Sequence, residues 1–341
     1  MTGLPAPRPI AELEAIDRRA FREEVRPAAQ PVVLRGYARD WPAVRAAREG
    51  DEVLVAYMGR FMTPRPVGVI VGPPEIRGRF FYGEDTRGLN FRKASAPLGM
   101  FLGRLLEDRG NPNPHAVAVQ SEIIPELLPG FEIENATALL DPGIAPRAWI
   151  GNRIRVAPHY DLMENIGVVV AGRRRFTVFP PDQLPNLYPG PFELTPAGTP
   201  ISLVDLEAPD LERFPRFAEA AARARAATLE PGDAIYLPYH WWHAVDSLEP
   251  FNLFVNYWWS EAMPGLGGGY DALLHALFSL RHLPPEQRAV WRMIFDHYVF
   301  PPDGVDPAAH LPEHARGILG APTPRLLARM RAMLREIAAR S

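Results

Sequence analysis

The sequence predicts a mainly β protein with helical additions, arranged as a jelly roll or barrel. Short strand-like runs separated by turn signals crowd the middle of the 341-residue chain, at 168–179 and 234–258. Hydrophobic residues make up 47% of the chain, which is enough for a substantial core. A glycine cluster at 265–269 separates this part from a C-terminal part whose pattern is helical throughout.

The N-terminal third mixes helix and strand signals. Residues 9–27 predict a helix, and residues 31–36 predict a short strand that ends in a turn. Residues 53–61 fit either element. Residues 79–82 predict another strand, and the spacing of apolar residues at 98–107 predicts an amphipathic helix.

The middle third is rich in strand signals. Residues 168–171 and 173–179 predict two antiparallel strands joined by a tight turn at Gly172. Residues 210–227 have a helical pattern, and a Pro-Gly-Asp turn follows at 231–233. After that turn the pattern predicts three more short strands, at 234–237, 243–247 and 252–258.

The glycine cluster at 265–269 is interpreted as a linker. A phosphate-binding loop is the alternative, but the cluster lacks the Lys-Ser/Thr that such a loop requires. Beyond it, apolar residues spaced i, i+4, i+7 and i+11 predict one buried face of a final helix: Leu326, Met330, Met333 and Ile337. That face packs either on the chain's own barrel or on a second subunit.

Composition and charge exclude several classes of partner and chemistry. The net charge of −3 predicts no general attraction to nucleic acid or to an anionic membrane. No apolar run approaches the length of a membrane span, and residues 1–18 lack the apolar stretch of a signal peptide. The absence of cysteine excludes disulfides, thiolate zinc sites and a cysteine nucleophile, and it favours a cytoplasmic location.

His159, Asp161 and His243 form the strongest chemical motif. Residues i and i+2 of an extended strand share a face, so His159 and Asp161 can bind one ion from one strand end. Two imidazoles and one carboxylate are the ligands of the facial triad that holds non-haem Fe(II) with open positions. An H-x-D pair alone also fits a loop histidine hydrogen-bonded to its aspartate. His240 competes with His243, but three positions apart on a strand they face opposite ways.

The motifs around these residues resemble those of the JmjC/cupin-like oxygenases, and in particular of their asparaginyl hydroxylases. The resemblance is dense over about residues 145–260 and looser in the N-terminal part, where Gln120 belongs to it. It is carried by four stretches in the same order: 159–165, 176–189, 231–243 and 256–258.

The resemblance implies a double-stranded β-helix that binds Fe(II) and takes 2-oxoglutarate as co-substrate. By position it implies His159, Asp161 and His243 as metal ligands. Asn165 and Asn256 match amides near the metal and 2-oxoglutarate, and Arg174 matches the lysine that pairs with the distal carboxylate of 2-oxoglutarate. Two residues are expected to contribute to substrate binding: Gln120 and Trp258.

Arg174 agrees with that role on physical grounds, although two neighbouring positions depart from the family. In a strand Arg174 shares a face with Phe176 and Val178, and a charge on an apolar face needs a partner such as a carboxylate. A solvated arginine at the barrel mouth is the alternative. The family's threonine and tyrosine hydroxyls are replaced by Val156 and, by its approximate position, Ala118.

Three parts are predicted: an N-terminal α/β elaboration at 1–130, the β-helix at 131–262 and a helical module at 263–341. The predicted function is an Fe(II)- and 2-oxoglutarate-dependent dioxygenase that hydroxylates a C–H bond of a protein side chain or small molecule. A metal-binding cupin without turnover and a cupin-type metal-dependent hydrolase or isomerase, for which Glu164 is the nearest base, remain open. By analogy with the resembling hydroxylase, we expect a homodimer through residues 270–341.

Overall fold

Two β-sheets carry the fold of the computed structural model, which describes residues 3–14 and 16–340. Fifteen strands are present in these ranges. In chain order they are β1 Arg8–Pro9, β2 Ala11–Leu13, β3 Val32–Leu34, β4 Pro66–Gly72, β5 Arg79–Phe80, β6 Arg92–Pro97, β7 Ala116–Ile123, β8 Pro146–Gly151, β9 Arg155–His159, β10 Glu164–Ala171, β11 Arg174–Phe179, β12 Arg225–Leu229, β13 Ala234–Leu237, β14 Trp242–Ser247 and β15 Asn252–Trp259.

Helices flank the sheets and make up the C-terminal part. The α-helices are α1 Arg18–Ala20, α2 Arg26–Ala28, α3 Pro42–Glu49, α4 Asp51–Gly59, α5 Leu98–Glu107, α6 Ile124–Leu127, α7 Phe131–Glu134, α8 Phe217–Arg223, α9 Gly269–Leu280, α10 Pro285–Tyr298 and α11 Pro324–Arg340. A π-helical turn, Phe21–Val25, joins α1 to α2. Short 3-10 turns are Pro74–Ile76, Asp108–Gly110, Pro181–Asn186, Glu313–Ala315 and Gly317–Leu319.

The two sheets form the predicted jelly roll. The minor sheet has the order β1-β12-β11-β14-β9-β5, and the major sheet has the order β2-β3-β13-β10-β15-β8-β7-β4-β6. Consecutive strands from β8 to β11 alternate between the sheets. The inner faces meet in an apolar cluster to which Phe176 and Val178 contribute from the minor sheet, and Val169 and Phe254 from the major sheet.

The hairpin predicted around Gly172 is wrong in its pairing. β10 pairs with β13 and β15, whereas β11 pairs with β12 and β14, so the chain crosses from one sheet to the other. Gly172 has φ +72°, and a Cβ there would lie 2.2 Å from Oδ1 of Asn252. The turn therefore needs glycine for its conformation and for the close approach of β15.

Several predicted elements are confirmed. The helix at 98–107 is α5, and the strands at 234–237, 243–247 and 252–258 are β13, β14 and β15. The ambiguous segment at 53–61 is mostly helical, in α4.

Two predicted helices are shorter than expected. In the segment 9–27, residues before Asp17 form edge strands that pair in parallel with β12 and β3. The helix begins only at Arg18, where the Asp17 side chain accepts a hydrogen bond from the Ala20 amide at 2.8 Å. In the segment 210–227, α8 ends at Arg223, and β12 then completes the ladder beside β11. In both cases backbone pairing with a neighbouring strand overrides the local helical pattern.

The chain divides into two compact units, Met1–Ser260 and Glu261–Ser341. The predicted boundary at 130/131 inside the first unit stays a prediction. The second unit contains α9, α10 and α11, and neither α9 nor α10 has a buried residue. None of the described helices is both long and apolar enough to cross a membrane.

Candidate metal centre

His159 is the last residue of β9, and a β-bulge aims it at the inner face. Val245 and His243 of β14 are two residues apart, but their partners in β9, Val156 and His159, are three apart. The extra residue lets Val156 and His159 both face inward. The Nδ1 atom of His159 lies 3.0 Å from the carbonyl oxygen of Ala157. Because a carbonyl can only accept, Nδ1 carries the proton and Nε2 presents its lone pair.

His243 repeats this arrangement on the neighbouring strand. It stands directly opposite His159 in the ladder, it is 4% exposed, and its Nδ1 lies 3.0 Å from the carbonyl oxygen of Trp241. The two rings are 4.3 Å apart between centroids. Burial, and then the electrostatic effect of His243, lowers the pKa of His159 to about 4. Both imidazoles thus have a backbone acceptor on one nitrogen and leave the other for a metal ion.

Asp161 lies just beyond the end of β9 and completes the group. Its Oδ2 atom is 3.7 Å from Nε2 of His243. It accepts hydrogen bonds at 3.0 Å from the Asn165 amide and from the Trp258 indole N–H. Within the described part of the chain, His159, Asp161 and His243 are the group whose ligand atoms could hold a metal ion, all lying within 4.8 Å of one another.

A chain of side-chain hydrogen bonds fixes the carboxylate. The Trp149 indole donates to Oδ1 of Asn256 at 2.7 Å, Nδ2 of Asn256 donates to Asn165 at 3.0 Å, and Asn165 donates to Asp161. Asn165 and Asn256 are 6% and 1% exposed. Since each amide has both a donor and an acceptor partner, the chain holds one orientation of Asp161.

Arg174 is a buried cation for which the described part of the chain provides no acidic partner. It is 6% exposed, and its guanidinium lies 4.8 Å from the centre of the Phe254 ring. Nη2 makes one long hydrogen bond, 3.4 Å, to the carbonyl oxygen of Trp149, and Nε has no partner among the described residues. Burial lowers the pKa of Arg174 to about 9, so the side chain remains charged at neutral pH. Burying an unpaired charge is unfavourable, so an anion that binds beside Arg174 would stabilise it.

The sequence interpretation missed two neighbours of Arg174, Ser247 and Phe254, and it missed Gly167, which lies against the Phe254 ring. A Cβ on Gly167 would lie 2.0 Å from the Phe254 ring, so glycine makes room for the ring on which Arg174 rests. Ser247 is 5% exposed and pairs directly with Arg174 in the ladder. Alternation along β14 places Ser247 on the same face as His243. Strand alternation could have indicated Ser247, but only with the register known.

The other positions singled out from the sequence have mixed surroundings. Val156 pairs with Val245 in the ladder, and Ala118 is 1% exposed. Since valine and alanine have no hydroxyl group, neither position offers one to a ligand. Trp258 contacts the site through Asp161. Gln120 is half-buried beside a bulge of β7, and no hydrogen bond joins it to the metal ligands among the described residues.

His240 and Glu164 are directed elsewhere. His240 lies in a turn before β14 with φ +61°, so the turn, and not strand alternation as predicted, separates it from His243. Its ring stacks on Tyr160 with 4.9 Å between centroids, and burial lowers its pKa. Glu164 accepts a hydrogen bond from the Tyr236 hydroxyl at 2.6 Å.

Comparison with known proteins adds a family and several relatives. A family model described as a cupin-like domain matches residues 18–264. HSPB1-associated protein 1 of Homo sapiens is 40% identical over 114 residues, which are 32% of this chain and 22% of that protein. Lysine-specific demethylase 8 of Xenopus tropicalis is 28% identical over 256 residues, 74% of this chain and 53% of that protein.

A third relative matches a similar length of the chain. Jumonji C domain-containing protein 5 of Drosophila melanogaster is 27% identical over 255 residues, 73% of this chain and 59% of that protein. The chain thus spans between about a fifth and three fifths of the length of these relatives.

Proposed function

The chain belongs to the cupin-like domain family, in its JmjC type, and on that basis we propose that it is an Fe(II)- and 2-oxoglutarate-dependent oxygenase that hydroxylates a C–H bond. The observation that carries the proposal is Arg174, a buried guanidinium with no acidic partner among residues 3–14 and 16–340. It lies in the same barrel interior as His159, Asp161 and His243. A metal-ligand triad supports many chemistries. A triad combined with a buried cation selects a ligand that is itself an acid.

The ligand set fits Fe(II). Two imidazole nitrogens and one carboxylate oxygen, without any thiolate, are the donors of the facial triad. When bound, the iron and 2-oxoglutarate would supply the oxidising chemistry, in which dioxygen is consumed and 2-oxoglutarate yields succinate and carbon dioxide. The protein holds its three ligands on one side: the carbonyl oxygens of Ala157 and Trp241 orient the imidazoles, and Asn165 and Trp258 orient Asp161.

The Arg174 pocket fits one end of a dicarboxylate. A guanidinium can donate two parallel hydrogen bonds to a carboxylate, and Nε of Arg174 is available. Ser247, opposite Arg174, adds a hydroxyl on the same face. The Phe254 ring lies beneath the guanidinium. Arg174 would therefore bind the distal carboxylate of 2-oxoglutarate, and Asn165 and Asn256 would lie on the metal side.

The oxidised group is a C–H bond of a protein side chain or of a small molecule. Two of the similar proteins carry names that refer to lysine demethylation or to a Jumonji C domain, and this favours a protein side chain. Removal of an N-methyl group begins with hydroxylation of that group, so a methylated lysine is the first substrate to test. Gln120 and Trp258 are the proposed substrate contacts.

A binding protein without turnover is the second candidate. Val156 and Ala118 supply no hydroxyl, so the distal carboxylate would have fewer donors here than in the family pattern. Such a protein would bind 2-oxoglutarate weakly and would not oxidise a substrate. A hydrolase or isomerase is disfavoured, because Glu164, its proposed base, is hydrogen-bonded to Tyr236.

Succinate formation decides between the two candidates. The full chain is loaded with Fe(II) without oxygen, 2-oxoglutarate binding is measured by calorimetry, and succinate is measured after oxygen is admitted. Binding followed by oxygen-dependent succinate supports the oxygenase. Binding without succinate, with or without a methylated-lysine peptide, supports the binding protein. The Arg174→Met variant should lose 2-oxoglutarate binding, whereas Arg173→Met is a matched control, because Arg173 precedes β11, is 48% exposed and forms an ion pair with Glu249.

A homodimer through residues 270–341 is proposed as well. In α9 the side chains of Leu274 and Phe278, one turn apart, are 65% and 71% exposed, and Met293 of α10 is 61% exposed. Met333, on the face of α11 predicted to be buried, is 39% exposed. So much exposed apolar surface in a single unit is typical of an interface, and a second copy by two-fold symmetry is the commonest partner.

Light scattering tests the dimer. We expect twice the chain mass at micromolar concentration, and the Leu274→Glu/Phe278→Glu variant should be monomeric with an unchanged circular dichroism spectrum. Arg288→Glu, an exposed substitution on α10, is the control. A wild-type monomer would contradict the proposal.

A further inference from the structure

A cavity of about 570 Å³ lies on the outer face of the minor sheet, the face opposite to that of the metal ligands. Its floor is the sheet, and its walls come from α8, from the segment 204–209 and from residues 4–7. All of these residues belong to the first compact unit. The volume is within the range of small-molecule sites.

Small residues keep the floor low. In the middle of the floor, each of the four central strands contributes one small residue: Ala226, Thr177, Ala244 and Ala157. Phe179 and Phe217 form an apolar wall. Because none of these four side chains is large, the space above them stays open.

Charged residues line one end of the cavity in a single row across the strands. Ladder pairing joins Arg175 to Asp246, Asp246 to Arg155, and Arg155 to Arg79. Arg155 and Arg79 are therefore like charges side by side on neighbouring strands. Such a pair is unfavourable unless anions lie close to it.

Acidic residues of the overlying segment form ion pairs with these two arginines but do not use all of their hydrogen-bond donors. Asp205 forms an ion pair with Arg79 at 3.0 Å, and Glu207 forms one with Arg155. Among the residues that the structure describes, Nη2 of Arg79 and Nε of Arg155 still have no hydrogen-bond partner. Each guanidinium side chain is 21% exposed, whereas Glu207 is 57% exposed. The cavity end thus has surplus donors and one acid that can move away into solvent.

We propose that this cavity binds a small carboxylic acid with an apolar body, such as a medium-chain fatty acid, whose carboxylate pairs with Arg79 and Arg155. The apolar body lies over Ala226 and Ala244 against Phe179. The carboxylate takes the place of Glu207 at Arg155 and adds the acceptor that the unpaired donors lack. This site is separate from the Arg174 pocket, which lies on the inner face of the same sheet.

Octanoate is the probe, titrated into the metal-free full chain by calorimetry. We expect saturable binding of one octanoate per chain, and binding of octan-1-ol at least about tenfold weaker, because one charge-assisted hydrogen bond accounts for that difference. Arg79→Met and Arg155→Met should each weaken octanoate binding at least about tenfold. Ala226→Phe should abolish it by filling the cavity. Glu207→Gln should strengthen it, because it removes the competing carboxylate.

Two controls keep the outcome specific. Arg87→Met changes an arginine whose side chain is 89% exposed and outside the cavity, and it should leave octanoate binding unchanged. Arg174→Met should also leave it unchanged. Loss of binding in Arg174→Met with retention in Arg79→Met would place octanoate in the barrel and overturn the proposal. Weaker binding to Glu207→Gln, or no binding of octanoate at millimolar concentration to the wild type, would overturn it as well.

Discussion

Arg174 and Arg175 are adjacent on β11 and face opposite sides of the minor sheet. Arg175 points outward, where its Nε and Nη2 donate to Oδ2 of Asp246 at 3.0 and 2.7 Å and its side chain is 48% exposed. Arg174 points inward, is 6% exposed and has no acidic partner among the described residues. The same side chain is therefore satisfied by the protein on one face and left unsatisfied on the other.

This difference separates a structural charge from a binding charge. Water and Asp246 compensate the outer guanidinium, so little free energy depends on any further partner. The inner guanidinium has lost its water, and the free energy of its burial is recovered only when an anion enters. A buried cation that lowers the stability of the empty protein is thus a direct indication of where an acidic ligand binds.

The largest effect that would test this contrast concerns the metal ligands on the inner face. Asp161→Ala removes one of three metal ligands and should weaken Fe(II) binding by more than about 100-fold. Loss of a residue that only hydrogen-bonds to a ligand weakens metal binding by about 10- to 100-fold, and loss of a ligand should cost more. Asp246→Ala, on the outer face of the same sheet, should leave Fe(II) binding unchanged. Calorimetry under anaerobic conditions measures both. Equal losses in the two variants would mean that the sheet, and not the triad, is the sensitive element.

The next effect compares the two arginines directly. Arg174→Met should weaken 2-oxoglutarate binding to the Fe(II)-loaded protein by about 10- to 100-fold, because charge-assisted hydrogen bonds contribute about 1.5–3 kcal/mol. Arg175→Met should not change it. In the empty protein the order reverses: Arg174→Met should raise the free energy of unfolding by about 1–3 kcal/mol, and Arg175→Met should lower it by at most about 1 kcal/mol.

Denaturant titration of both metal-free variants checks the second part. If Arg174→Met proves much less stable than the wild type, another group of the protein must stabilise the charge of Arg174 when no ligand is bound. Its role as an unsatisfied ligand-binding charge would then be lost.

Much of the inner face could be predicted from the sequence, because its evidence is local. His159 and Asp161 are two residues apart at one strand end, and β13, β14 and β15 follow runs of apolar residues between turns. The apolar neighbours of Arg174 at 176 and 178 showed that it faces inward. Each of these features lies within a short stretch of sequence, although strand alternation does not by itself place Asp161, which lies beyond the last residue of β9.

The side chains that contact Arg174 could not be predicted, because they depend on the register between strands that are far apart in the sequence. Phe254 reaches Arg174 across the interior, and Ser247 meets it through ladder pairing. The bulge before His159 and the crossing at Gly172 are likewise properties of the assembled sheets. The outer cavity could not be predicted for another reason. The segment 204–209, which covers it, has no helix or strand pattern.

Gly167 offers a smaller perturbation of the inner face alone. A Cβ at this position would lie 2.0 Å from the Phe254 ring, so Gly167→Ala must displace the ring that supports Arg174. We expect a loss of about 1–3 kcal/mol in the free energy of unfolding, typical of overpacking, together with weaker 2-oxoglutarate binding. Gly59→Ala, where nothing lies within 4 Å of the added Cβ, is the control. Unchanged 2-oxoglutarate binding in Gly167→Ala would remove Phe254 from the account of Arg174.

The smallest effect concerns protonation of the inner face in the metal-free protein. Burial and then His243 lower the pKa of His159 from 6.5 in the unfolded chain to about 4 in the folded protein. As the pH falls from 7 to 6 the unfolded state takes up a proton that the folded state refuses, so stability decreases, by less than about 1 kcal/mol over this interval. The His159→Asn variant should lose this part of the pH dependence, whereas His282→Asn, an exposed substitution in the second unit, should keep it. Thermal unfolding at pH 7 and pH 6 measures the difference. If His159→Asn and the wild type lose equal stability, the imidazole already binds protons in the folded state and is less well prepared for a metal ion than the geometry indicates.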